Sequence, residues 1–356
     1  MVPKLSELIL KLARMWQVVT CLCAALTLTG CAPKIYPPGR AIDRPRLSNN
    51  VFITEDGAVL PVRSWQPQSE SVKGVIIAVH GFNDYSNFFE EPGRFFADAG
   101  IVGYAYDQRG FGSGPNRGFW AGLETYSRDL RAFAYLVKNA HPDVPLFVLG
   151  ESMGGAVAIV TMTERAVPPV DGIILSSPAV WGRETMPWYQ RVLLWATSHT
   201  VPWLQVTGKG LGITPSDNIE MLRGLGRDPL VIKKTRVDAL YGLTNLMDDA
   251  LARSPEINVT TLMLYGAKDE VIPKQPVRKM LSRLRENGDQ HWRVAVYRNG
   301  YHMLLRDLQA SVPLRDIVSW IEFRSRPLPS GSDESATDAF LFVGGRDSVA
   351  SRLRSP

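Results

Sequence analysis

Along most of its length the chain alternates short, almost wholly apolar runs with longer stretches in which apolar residues recur every three or four positions. The runs are VIIAV (75–79), VGYAY (102–106), PLFVL (145–149), GIILS (172–176), TLMLY (261–265) and WRVAVY (292–297). Runs this short, with little polar alternation, predict strands buried on both faces. Residues 126–139 are of the second kind, with Leu130, Phe133, Ala134 and Val137 on one face, and predict a helix. Strands and helices in alternation from about residue 50 to 324 predict a mostly parallel sheet covered by helices on both sides. Such sheets hold their sites at the carboxyl ends of the strands. The length of 356 residues suits one large α/β domain or two smaller ones.

The rhythm breaks between Ser177 and Thr261, where roughly 80 residues lack a clear strand, too many for a structureless loop. This interval is helical in pattern and carries Trp181, Trp188, Trp195 and Trp203, so a helical cap is expected at about 180–255. Trp188, Val192 and Trp195 fall on one helical face. Residues 325–356 turn polar and read as a disordered tail, and the Pro- and Arg-rich residues 31–49 read as a tether.

The amino terminus has another character. Lys4, Lys11 and Arg14 precede the short apolar stretch 18–26, which reads as an export signal rather than a spanning helix. Leu28-Thr29-Gly30-Cys31 resembles the bacterial lipoprotein lipobox. That resemblance implies a signal peptide over 1–30, lipidation of Cys31 and attachment to a membrane. Ala32 after the cysteine, in place of aspartate, implies the periplasmic side of the outer membrane. All three cysteines lie within 21–31, so the mature domain has no pair for a disulfide. Of the net charge of +5, residues 1–30 hold +2, and the scattered +3 that remains gives no reason to expect nucleic acid.

Candidate chemistry starts at Gly150-Glu151-Ser152-Met153-Gly154, directly after the run 145–149 and before a stretch of small residues. A serine at a tight strand-to-helix turn needs glycines beside it and projects its hydroxyl at a strand's carboxyl end. There the following helix offers free backbone N–H groups. An alcohol becomes a nucleophile when a base removes its proton and a third group fixes the tautomer of that base. His302 follows the strand 292–297 and stands at the same end as Ser152, whereas His291 opens that strand at the wrong end. His141 lies in a polar turn and His199 in the cap, both read as surface residues. Asp269 stands just past the strand 261–265; Glu270 beside it could substitute, and the cap residues Asp248 and Asp249 read as solvated. The order Ser152, Asp269, His302 is that of α/β-hydrolases. Oxyanion donors are expected from the backbone N–H groups of Met153 and Phe82, with His80 bracing the turn at 80–82.

With these segments, and with Asp107-Gln108-Arg109-Gly110-Phe111-Gly112-Ser113 and Leu175-Ser176-Ser177-Pro178, the chain resembles the monoacylglycerol lipase and lysophospholipase (serine aminopeptidase-like) branch of the α/β-hydrolases over about 50–324. Glu151 and Phe111 stand where that family commonly has histidine. The resemblance implies an α/β-hydrolase fold with an inserted helical cap and no metal or organic cofactor. It also implies hydrolysis of a carboxylic ester, usually of a single acyl chain, as in monoacylglycerols or lysophospholipids. A small-ester esterase or thioesterase is the neighbouring reading, and a catalytically silent binding lipoprotein of the envelope the distant one. The complete triad argues against the last.

Overall fold

Each of the six apolar runs forms a strand in the computed structural model, which describes residues 13–18, 32–69, 71–286 and 291–334. An antiparallel meander of β1 (Arg46–Ser48), β2 (Val51–Ile53) and β3 (Val59–Trp65) leads into β4 (Gly74–Val79), β5 (Ile101–Tyr106), β6 (Leu146–Glu151) and β7 (Gly172–Ser176). The short pair β8 (Gln205–Val206) and β9 (Thr235–Arg236) lies in the cap. After it come β10 (Thr261–Gly266), β11 (Trp292–Tyr297) and β12 (Asp333–Glu334). The main sheet runs β1-β2-β3-β5-β4-β6-β7-β10-β11-β12, with every pairing from β5 to β11 parallel.

Every residue of β4, β6, β7 and β10 is buried, as uninterrupted apolar runs require. The helices from residue 32 to 334, among the described residues, are α1 (Glu90–Asp98), α2 (Leu123–Ala140), α3 (Met153–Met162), α4 (Trp188–Thr200), α5 (Ile219–Arg227), α6 (Val237–Arg253), α7 (Lys274–Glu286) and α8 (Ser311–Glu322). Val75, Ile77 and Val79 pack into one core with Leu130 and Phe133 of α2, Val157 of α3, Leu246 of α6 and Met280 of α7. Ile76 and Ala78 point the other way, into a second core with Phe96 of α1 and Ile317 and Trp320 of α8. This period of two is the pleat of the strand, and both faces are apolar because both carry helices. Each fully buried Val, Leu, Ile, Phe or Met among them contributes about 1.5–3 kcal/mol relative to exposure.

Four boundaries differ from the sequence reading. β6 continues through Glu151, so Ser152 follows the strand at once. The cap is shorter than 180–255, because Leu246, Ala250 and Leu251 of α6 belong to the main core, and it contains the β8–β9 pair, too short to show a period. The stretch read as a tether is docked from Tyr36 onward: the Tyr36 N–H donates to the Trp120 carbonyl at 2.8 Å and its ring lies 4.5 Å from Phe119. Beyond it the Gly39 N–H donates to Asp56, and Arg46–Ser48 forms β1. A single aromatic contact within a Pro- and Arg-rich segment leaves no periodic trace.

The start of the polar tail is likewise ordered. Leu328 is buried, Ser330 donates to Asp316 through its N–H (2.9 Å) and hydroxyl (2.5 Å), and β12 pairs antiparallel with β11. Polar composition there reflects side chains that bond to α8 and not a lack of structure. Residues 335–356, Cys31 and most of the expected signal peptide lie outside the described residues. Among the described residues no helix is long and apolar enough to cross a membrane.

Candidate active site

Ser152 sits between the last residue of β6 and the first of α3 with φ 52° and ψ −113°. A non-glycine residue held in this region is strained by about 1–3 kcal/mol, so neighbours must enforce it. They do: the Ser152 N–H donates to the Ser176 carbonyl (3.0 Å), and its own carbonyl accepts from Ala156 (3.2 Å) and Ala179 (2.9 Å). The flanking glycines make room. A Cβ on Gly154 would lie 2.0 Å from the Val79 carbonyl oxygen, and one on Gly150 would lie 2.4 Å from that of Gly154. Both obstacles are backbone and cannot rotate away. Gly154→Ala is therefore expected to destabilise the fold by about 2–3 kcal/mol. The thermal midpoint should drop by roughly 5–10 °C; a melting curve matching that of the unaltered protein would contradict this close approach of α3 to β4.

Asp269 and His302 come together from adjacent strand ends. The loops after β10 and β11 are tied by the Lys268 N–H, which donates to the Gly300 carbonyl at 2.9 Å. His302 Nδ1 lies 2.8 Å from Asp269 Oδ2, and both side chains are buried. Asp269 Oδ1 accepts from the N–H groups of Val271 (2.8 Å) and Ile272 (2.9 Å), which fixes the carboxylate plane. Glu270 turns away and accepts the Thr214 N–H from the cap (2.8 Å), so the two neighbouring carboxylates have separate partners. With Nδ1 donating to Asp269, the other imidazole nitrogen is left as an acceptor. Burial pulls the His302 imidazolium towards deprotonation, but the carboxylates of Asp269 and Glu151 outweigh burial and the opposing Arg306 charge, so its pKa lies above the ordinary histidine value.

The turn after β4 lies against Ser152. A Cβ on Gly81 would sit 3.4 Å from the Ser152 Cβ, which brings the Phe82 backbone to the serine's side. Met153, first in α3, has an N–H beyond the reach of the helix's own carbonyls. His80 braces this turn: its Nε2 accepts the Gln108 N–H at 3.0 Å, and its Nδ1 donates to the Gly81 carbonyl at 2.8 Å. With both nitrogens engaged and burial holding its pKa down, it is a structural imidazole. Asp107 accepts from the Ser86 and Ser113 N–H groups, and Arg109 bridges Asp56 and Asp129, so the 107–113 segment is scaffolding too. A half-buried serine and an imidazole fixed by a carboxylate thus lie at the same end of the sheet, residue types that together can transfer an acyl group.

A model of the serine aminopeptidase S33 family matches residues 70–309. The chain belongs to that family. Monoacylglycerol lipase of Mycolicibacterium smegmatis is 27% identical over 292 residues, 77% of this chain and 96% of that one. Human monoglyceride lipase is 26% identical, over 77% and 90% of the two chains. The crystal structure of Paleococcus ferrophilus monoacylglycerol lipase superposes with a TM-score of 0.62 at 21% identity, covering 75% of this chain and 99% of that one. A soluble variant of monoglyceride lipase from Saccharomyces cerevisiae, in complex with a substrate analog, gives a TM-score of 0.65 at 18% identity over 81% and 98%. The fold is that of the α/β-hydrolases, and the protein is a monoacylglycerol-lipase-like carboxylic-ester hydrolase.

Three further histidines have surroundings of their own. His141 bonds to the Tyr104 hydroxyl, His199 stacks on Trp195, and His291 is exposed ahead of β11. In the cap, Asp248 is not merely solvated: it binds Arg183 through both its N–H and its guanidinium. Above the site, Phe82 packs edge-on to Phe111 (5.5 Å between centroids) and lies 6.3 Å from Trp120. Trp120 in turn fills the space over Gly242 of α6, where a Cβ would lie 2.4 Å from the indole. The α4 face that Trp188, Val192 and Trp195 share is turned outward: they are 73%, 56% and 57% exposed. Sequence reasoning missed Arg306, which binds Glu151 and Asp84 beneath the serine. Its only sequence signal was the carboxylate at 151, a buried charge in need of a partner.

Proposed function

We propose that this hydrolase cleaves the carboxylic ester of single-acyl lipids, of the monoacylglycerol or lysophospholipid kind, through an acyl-enzyme on Ser152. The observation that carries the reading is the buried 2.8 Å bond from His302 to Asp269 at the sheet end that also holds the strained serine. His302 takes the Ser152 proton as the oxygen attacks the ester carbonyl, and the oxyanion is received by the N–H groups of Phe82 and Met153. The imidazolium then returns that proton to the leaving alkoxide, releasing glycerol or its phosphorylated counterpart. Water, deprotonated by His302, cleaves the acyl-enzyme and frees the fatty acid.

The names of the Mycolicibacterium and human relatives support the substrate class. So does the apolar cap, where Trp188, Leu193, Trp195 and Trp203 are all exposed, since exposed apolar surface beside a site marks a ligand or membrane contact. Lipidation of Cys31 would hold the enzyme at the periplasmic face of the outer membrane, where such substrates reside. Because the chain is docked from Tyr36 onward, that leash would span only a few residues.

The test is kcat/KM for monoacyl esters of increasing chain length, in the unaltered enzyme and in Trp195→Ala. Each methylene buried should add about 0.8 kcal/mol, close to a fourfold rise in kcat/KM, until the pocket is full. The variant should lose most on the longest chains. A maximum at acetyl esters with an unchanged profile in the variant would assign the protein to small-ester hydrolysis instead.

A further inference from the structure

The loops that carry the oxyanion turn, the nucleophile and the histidine converge on one buried guanidinium. Arg306 lies four residues past His302, in the 3₁₀ turn Leu304–Arg306, and is 6% exposed. Its Nη1 donates to Asp84 Oδ2 at 2.9 Å and its Nη2 to Glu151 Oε1 at 2.5 Å. Asp84 is two residues past Phe82, and its other oxygen accepts the Tyr85 N–H at 2.9 Å, closing the turn. Glu151 immediately precedes Ser152. The arginine's own backbone is held at both sides: its N–H donates to Met303 and its carbonyl accepts from Asn218 of the cap.

We propose that Arg306 is a positioning residue that holds the oxyanion turn, the nucleophile elbow and the histidine loop in mutual register through Asp84 and Glu151. The proposal rests on the triad reading above. Three buried charges are a poor way to gain stability, because their desolvation offsets most of their attraction and a well-packed apolar cluster does as well. A planar, forked donor does fix two carboxylates at defined angles, which neither an apolar side chain nor lysine can do. Glu151 of this cluster also acts on the imidazole, although burial raises the pKa of its own carboxyl. His302 faces Asp269 from the β10 loop, Glu151 from the end of β6 and Arg306 from its own loop; the carboxylates hold its proton on and the arginine opposes them.

Two variants of the full-length enzyme test this, assayed with a p-nitrophenyl ester beside fluorophosphonate labelling of the unaltered protein. Arg306→Lys keeps the charge but lacks the planar fork that sets the two carboxylates at defined angles. It should lower kcat by about 10–100-fold, the scale of a displacement near 1 Å, with KM within twofold. Glu151→Gln keeps the shape and removes the charge, so His302 should lose its proton more readily and the acid limb of the kcat/KM profile should move to lower pH. An unchanged kcat in Arg306→Lys, or an acid limb unmoved in Glu151→Gln, would overturn the proposal and leave the cluster a structural brace. The pH readout stands even if the lysine variant fails to fold. If the unaltered protein itself takes no fluorophosphonate, the triad reading has failed, which is a separate outcome.

Discussion

Replacing Ser152 by alanine should reduce ester hydrolysis by roughly 10⁴–10⁶-fold, the range lost when the nucleophile of such a triad is removed. The loss should appear in kcat, because the backbone N–H groups of Phe82 and Met153 survive the change. The fold should survive as well. The bonds that hold residue 152 at φ 52° come from its backbone, to Ser176, Ala156 and Ala179, and alanine keeps all of them. A thermal midpoint within a few degrees of the unaltered protein, with turnover gone, is the expected pair of results. Turnover that persists would move the chemistry elsewhere.

Asp269→Asn should cost about 10⁴-fold in kcat, and the structure gives the reason. One carboxylate oxygen is committed to the N–H groups of Val271 and Ile272, so the asparagine must turn its carbonyl oxygen to them. Its NH₂ then faces His302 Nδ1, which has to become an acceptor, and the proton shifts to the nitrogen that should receive the serine's. Glu270→Gln, by contrast, should cost less than about threefold, within the range of an ordinary surface change, because Glu270 serves the cap through Thr214. Equal losses in the two variants would misplace the acid. The same geometry sets the pH dependence. The base works only when neutral, and His302 titrates above the ordinary histidine range, so hydrolysis should fall as pH drops through that raised value.

The parallel strands were legible because burial on both faces writes an unbroken apolar run, as in 75–79, and their carboxyl ends located Ser152, Asp269 and His302. What escaped was long-range and specific. Arg306 meets Glu151 across 155 positions and Asp84 across 222, and nothing in a lone arginine announces either partner. The docked arm at Tyr36 and the return of Leu328 and β12 to the sheet each rest on scattered single contacts with no repeat, which periodicity does not register. The cap read as an insertion, yet it also fastens the site. The Ile232 N–H donates to Asn83 in the oxyanion turn, and the Met303 N–H in the histidine loop donates to Pro215. Those are backbone bonds, to which side-chain patterns are blind.

The most direct measurement is the mass of the full-length enzyme, and of its proteolytic peptides, after reaction with a fluorophosphonate carrying a long alkyl chain. The account predicts one adduct per chain, on the peptide that contains Ser152, with prior incubation in a monoacylglycerol slowing its formation. No adduct, an adduct on another residue, or labelling indifferent to the monoacylglycerol would contradict it.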